Sequence, residues 1–154
     1  MSIGTPLRVL SLCAAALLAP GVLAAPPTHP ASPLGAWMTA NGQGVVEIAR
    51  CGEALCGRIV GIDRGPNEPM PRDAQGRSQC GLMIIANETS EPDGTWLGQV
   101  IDPRDGGSYQ AKLWVDAHAR LRLRAFIGIP ELGATQIWHR FTGHLAADCR
   151  FYDT

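Results

Sequence analysis

The sequence has almost no excess of charge: 13 basic and 14 acidic residues leave a formal −1 at pH 7. The signs are scattered, so there is no basic stripe to hold nucleic acid or an anionic membrane surface. Long apolar runs are equally scarce. After the first two dozen residues none approaches the ~20 residues of a membrane-crossing helix. Helical periodicity is hard to find beyond residue 34, and there is neither a long internal repeat nor a low-complexity tract. Familiar catalytic patterns are missing too. Ser32, Ser78, Ser90 and Ser108 lie in no G-x-S-x-G elbow. The segment Asp102-Pro103-Arg104-Asp105-Gly106 lacks the alternating carboxylates and distal Glu of a calcium loop. Its proline and glycine read as hairpin chemistry.

What is present begins with an export signal. Arg8 precedes an uncharged apolar run from Val9 to Ala19, and Val22-Leu23-Ala24 offers small residues for cleavage, the three-part plan of a secretory signal peptide. Cys13 does not sit in a lipoprotein box, because Leu12 occupies the position that needs a small residue. The expected organisation is therefore a signal peptide over 1–24, a proline-rich leader over 25–34 and one domain over 35–154. Loss of the signal removes Arg8 and no acid, so 12 basic residues against 14 acidic ones leave −2. The expected location is the periplasm or the exterior, as a monomer.

Export decides how the cysteines are read. Without Cys13, four remain: Cys51, Cys56, Cys80 and Cys149. In an oxidising compartment an even set forms disulfides, with three pairings open. The C-x4-C spacing is within the range of zinc sites, but export works against free thiolates. A thioredoxin-like pair needs C-x-x-C at a helix N-terminus, whereas both flanks here read as strand. No metal and no cofactor is expected. Cys51 and Cys56 flank Gly-Glu-Ala-Leu, so a simple hairpin makes them face each other, where positions without ladder hydrogen bonds bring Cα atoms to about 4.5 Å. The first-choice pairing is Cys51–Cys56, which leaves Cys80–Cys149.

Alternation and turn punctuation dominate the rest. Strands are expected over 35–39, 45–50, 57–62, 80–86, 95–101, 108–115, 120–125 and 134–141, with a polar turn over 87–94. The intervening Asp63–Gln79 stretch is an unusually long loop, and loops of that length are uncommon unless functional or mobile. Eight strands in sequence with mostly short connections describe an all-β, eight-stranded antiparallel up-and-down barrel. Such a barrel is either filled by side chains or holds one small ligand.

Gly35-Ala36-Trp37 opens the first strand and Arg140 closes the last. A GxW paired with a terminal arginine resembles the calycin signature of lipocalins, fatty-acid-binding proteins and avidins. The resemblance implies structural roles for Trp37 and Arg140, the arginine packing over the indole face as a cation–π contact. Further ordered motifs include Val46-Glu-Ile, Leu55-Cys56-Gly-Arg-Ile-Val, Asn67-Glu-Pro, Cys80-Gly-Leu, Asp102-Pro, Leu132-Gly and Gln136-Ile-Trp138-His-Arg140. Together they resemble the bacterial exported family known as domain of unknown function 2147. That resemblance implies a small exported barrel of no established activity, and it does not extend over His144–Thr154.

Three functions follow as expectations. The leading one is a non-enzymatic binding module for a small amphipathic or anionic ligand, its mouth gated by the Asp63–Gln79 loop. Candidate contacts are Tyr109, Arg124, Phe126, Gln136 and Trp138. Arg124 and Phe126 belong to this set only if they point into a cavity, since the alternation Arg120-Leu121-Arg122-Leu123-Arg124-Ala125 otherwise sends leucines inward and arginines to solvent. The second is an interaction or structural protein of the cell envelope with a packed interior. The third is an enzyme using Asp63, Glu68 and Asp73 of the long loop.

Overall fold

The computed structural model describes residues 31–152; the expected signal peptide, most of the leader and the last two residues lie outside them. Eight strands close into an antiparallel barrel in strict chain order. They are β1 (Gly35–Met38), β2 (Gly44–Cys51), β3 (Ala54–Ile62), β4 (Met83–Ser90), β5 (Trp96–Ile101), β6 (Ser108–Val115), β7 (Leu121–Phe126) and β8 (Ala134–Arg140). Closure comes from β1 against β8, with Trp37 opposite Arg140 and Met38 opposite His139. This seam removes the exposed edges that an open sheet would present.

Period-two patterning dictates which residues enter the lumen. On β6, β7 and β8 the cross-strand rows Val115–Leu121–Trp138 and Leu113–Leu123–Gln136 point inward. The arginines between those leucines are thereby sent outside: Arg120 and Arg122 both pair with Asp116. Trp37, Ile48, Leu55, Ile85, Leu113 and Leu121 are fully or almost fully buried and form the centre of the core.

Three departures from expectation have local causes. First, β4 starts at Met83 and runs through Ser90, where a polar turn was expected. Asn, Glu, Thr and Ser are weak indicators of a strand, but pairing with β3 and β5 overrides local propensity. Second, the β2–β3 turn is two residues long. Cys51 is opposite Ala54, and Gly52 takes φ 66°, a region open to glycine at little cost. Cys56 is opposite Ala49, so the Cys51–Cys56 disulfide runs diagonally, with Cα atoms 5.8 Å apart. Third, the tail forms a hairpin of β9 (His144–Leu145) and β10 (Phe151–Tyr152). It is held to the end of β3 by the Ile62 N–H donating to the Cys149 carbonyl, and to the long loop by the Cys80–Cys149 disulfide.

The long loop between β3 and β4 is folded. Arg72 and Ser78 form a bridge that closes a small hairpin. Inside it Asp73 is buried and accepts hydrogen bonds from Gln75 N–H, Arg77 N–H and Arg77 Nε. Burial pushes the Asp73 carboxyl up, but the hydrogen bonds from Arg77 and Gln75 outweigh it and hold it below its ordinary value. The hairpin rests on the β5–β6 connection through Ala74 N–H to the Pro103 carbonyl. No helix among the described residues is long and apolar enough to cross a membrane.

Candidate functional site

One end of the barrel is plugged. The Arg140 guanidinium lies 3.8 Å over the centre of the Trp37 ring. It donates to the carbonyls of Ser32 and Leu34, while Trp37 Nε1 donates to the Pro33 carbonyl. The segment just before β1 is thus strapped across this end by the two side chains that close the seam.

The other end is open, and the difference arises from side-chain size. Four adjacent strands put Gly98, Ala111, Ala125 and Ala134 in one cross-strand row. The row nearer the plug carries Trp96, Leu113, Leu123 and Gln136. Of the row of small residues, Ala125 lines a cavity of about 570 Å³ that opens at this end. Its wall is apolar, from Val46, Ile59, Ile84, Val100, Leu123 and Trp138. Its mouth is polar, from Thr39, Asn41, Gln43, Gln79 and Tyr109, and Gln136 adds a polar group one row deeper.

The polar groups are oriented individually. Trp138 Nε1 donates to Gln136 Oε1 at 2.9 Å, which turns the Gln136 amide nitrogen away from the indole. The Tyr109 ring folds over Gly107, where a Cβ would lie 2.9 Å from the hydroxyl; glycine permits this approach. Asp102 and Arg104 are the charged residues of the lining, and they satisfy each other: Arg104 donates to Asp102 from its N–H, Nε and Nη2. The Arg104 hydrogen bond holds the Asp102 carboxyl below its ordinary value. The cavity therefore carries a closed ion pair and no net charge.

The five candidate contacts divide. Tyr109, Gln136 and Trp138 line the cavity. Arg124 and Phe126 do not, because the inward pairing of Leu123 with Gln136 and of Ala125 with Ala134 places both neighbours on the outer face. There Arg124 donates to the Pro130 and Glu131 carbonyls and to Thr135 Oγ1. It thereby fixes the 3-10 turn Pro130–Leu132 between β7 and β8. Phe126, only 5 % exposed, packs on the outside, bordering a shallow groove with Leu97, Gln110 and Pro130. Local pattern reasoning missed the mouth residues Thr39, Asn41, Gln43 and Gln79, which come from two separate turns and are collected only by closure.

Loop carboxylates are not gathered into a catalytic pair. Glu68 accepts from Gly65 N–H, and Asp73 is committed to its own hairpin. No group of three or more His, Cys, Asp or Glu side chains that could hold a metal occurs among the described residues.

With this geometry in view, the motifs running from Gly35 to Arg140 acquire a name. The chain belongs to the family DUF2147. Its family model, described as an uncharacterized protein conserved in bacteria, matches residues 35–140, the barrel from its first strand to its last. The tail hairpin thus lies beyond the segment that defines DUF2147. Among solved structures the barrel is similar to HP1028 from the human pathogen Helicobacter pylori, a protein described as belonging to the lipocalin family. The match covers 74 % of this chain and 83 % of that one, with a TM-score of 0.59 and 14 % identity. At that identity the likeness establishes the calycin-like fold alone. No curated protein matches.

Proposed function

We propose that this DUF2147 protein is an exported, non-enzymatic binding module that takes one small, uncharged amphipathic molecule into the open end of its barrel. The cavity carries this reading. Its volume of about 570 Å³ lies within the roughly 300–1,000 Å³ of small-molecule sites. An apolar wall beneath a polar rim matches a ligand with an apolar body and a hydrogen-bonding end. The anionic alternative loses its main support, since Arg124 lies outside and Arg104 is already paired with Asp102. Tyr109, Gln136 and Trp138 are the proposed contacts, and the 63–79 loop, which supplies Gln79 to the mouth, is the proposed gate. Two disulfides and the signal-like N-terminus support residence in the periplasm, where such bonds persist.

The test is native mass spectrometry of the oxidised protein isolated from its own compartment. The expected result is a co-purifying small molecule that is lost on Ala125→Phe, which fills the cavity. A chain that carries nothing and binds no member of an amphipathic small-molecule panel would overturn the reading.

A second reading, an envelope interaction protein, is favoured by one observation. Ile127, Ile129 and Leu132, on the turn between β7 and β8, are 75 %, 54 % and 80 % exposed. Replacing all three by serine would abolish partner capture on that reading and leave ligand occupancy unchanged on the first.

A further inference from the structure

Glu88 is fully buried, and neither carboxylate oxygen has a hydrogen-bond partner among the described residues. Buried polar groups in native proteins are nearly always satisfied, and an isolated buried carboxylate is far more costly than an isolated amide. The position is nonetheless built. Between Ile85 and Glu88 the chain advances three residues while β3 advances two, from Gly57 to Leu55. Against β5 the same stretch of β4 is again one residue longer, with Ala86–Thr89 opposite Gln99–Leu97. This is a β-bulge in β4, a device that re-aims a side chain. The extra residue breaks the alternation, so that Glu88 follows Ile85 into the lumen and lies across from Leu55 near the plugged end.

The charged groups around it are few. The rest of β4 has none, β5 has none, and the one on β3, Arg58, is exposed and donates to the Gly81 carbonyl. The β4–β5 turn contributes Glu91 and Asp93, of which Asp93 is paired with Lys112. Glu53 is exposed on the β2–β3 turn, and Asp116 on the β6–β7 turn is paired with Arg120 and Arg122. Arg140 is committed to the strap over Trp37. That leaves Arg50 of β2, which is opposite Leu55 and so in one cross-strand row with Glu88. Arg50 makes no ion pair among the described residues, and its guanidinium lies 6.0 Å from the centre of the Trp96 ring, on β5. It reaches from β2 toward β5 across the end of the barrel beneath which Glu88 is buried.

We propose that Glu88 is a proton-operated latch on the plugged end: it packs as the neutral acid, and on losing its proton it draws in water and Arg50 and opens the β3–β4–β5 wall. Burial pushes the Glu88 carboxyl up to about 8, so the latch is shut in neutral and mildly acidic surroundings. Because the folded chain holds this proton more tightly than the unfolded chain, the stabilisation is fully present below about pH 4.5. It is lost as pH rises toward 8, the unfolding constant growing about tenfold per pH unit over that window. The latch does not depend on the ligand reading, since Glu88 is outside the cavity lining.

The test is a carboxyl-carbon NMR titration of the full oxidised chain, joined to amide hydrogen exchange at pH 6 and pH 9 corrected for intrinsic rates. Glu88 is expected to titrate with a midpoint far above the ordinary carboxyl range. Protection around Leu55 and Glu88 is expected to fall by up to about tenfold per pH unit gained below 8, while that of β7–β8 changes less. Glu88→Gln is expected to hold protection constant between the two pH values, and Arg50→Gln to raise the Glu88 midpoint further. A midpoint in the ordinary carboxyl range would overturn the proposal, as would Glu88→Gln losing protection with pH as the unmodified chain does. Should Glu88→Gln fail to fold, the titration of the unmodified chain decides alone.

Discussion

The two ends of this barrel are made by the same eight strands and are filled in opposite ways. Near the plug the lumen receives Trp37, Ile48, Leu55, Leu113 and Leu121, all fully or almost fully buried. Two or four residues further along the same strands it receives Val46, Ala111 and Ala125, and a cavity remains. The polar groups contrast as well. At the open end two pairs have a local answer in each other, Asp102 with Arg104 and Gln136 with Trp138. Near the plug a whole carboxyl is buried without one. Strand number and closure are common to both ends, so the size of each inward residue decides between core and container.

The comparison breaks most visibly at its packed end. Trp37→Ala removes a fully buried indole that also anchors Arg140 and the preceding segment. The expected loss is about 3–5 kcal/mol of unfolding free energy, the range for such truncations, measured by chemical denaturation. A loss within that of an ordinary surface change, roughly 0.5 kcal/mol, would mean that the plug is not part of the core.

Next come the two disulfides, which differ in the span they close. Cys80–Cys149 joins residues 69 apart and Cys51–Cys56 joins residues five apart. If the bridges act by restricting the unfolded chain, replacing the long-span pair by alanine costs about 4 kcal/mol and the short-span pair about 2 kcal/mol. The denaturation midpoints of the two double variants check the order. Equal losses would show that the tail staple acts through native contacts of the β9–β10 hairpin instead.

These effects fall on features of unequal visibility in the sequence. The barrel was legible because β6 and β7 alternate cleanly and GxW with Arg140 marks a seam between first and last strands. The pairing of cysteines was legible from the expected export signal and hairpin proximity, although the diagonal geometry was not. Glu88 was hidden by its own physics. Reading 87–94 as a turn is correct reasoning from Asn, Glu, Thr and Ser, and a bulge that breaks period two leaves no pattern to find. The cavity was hidden differently. Its lining comes from separate strands and turns, Val46, Ile59, Val100, Ala125 and Gln79 among them, and only closure of the barrel gathers them. The placement of Arg124 was available from the leucine alternation, which outweighed the idea of a cationic lining.

The open end offers a gentler break. Ala125→Phe puts a ring into the cavity that Ala125 lines, so stability should fall by no more than about 1–3 kcal/mol, the range for added side-chain volume. Ligand occupancy should fall by at least about tenfold, equivalent to about 1.4 kcal/mol of binding free energy. Titration of the ligand-free variant with the molecule identified by mass spectrometry makes the comparison. Unchanged affinity would place the site elsewhere.

The smallest effect on binding is expected from Arg124→Ala, which separates the outer face from the lumen. Arg124 was a candidate ligand contact on the condition that its strand face pointed into a cavity, and its three hydrogen bonds instead hold the turn between β7 and β8. Two of the acceptors are backbone carbonyls on an exposed turn that water can satisfy, so the loss should be about 1 kcal/mol, typical of one or two net hydrogen bonds. That turn carries exposed Ile127, Ile129 and Leu132, whose amide exchange should quicken in the variant. Affinity for the cavity ligand should stay within about twofold, or about 0.4 kcal/mol. A larger loss of affinity with unchanged turn exchange would return the guanidinium to the site, and with it the anionic ligand that the paired charges of the mouth now argue against.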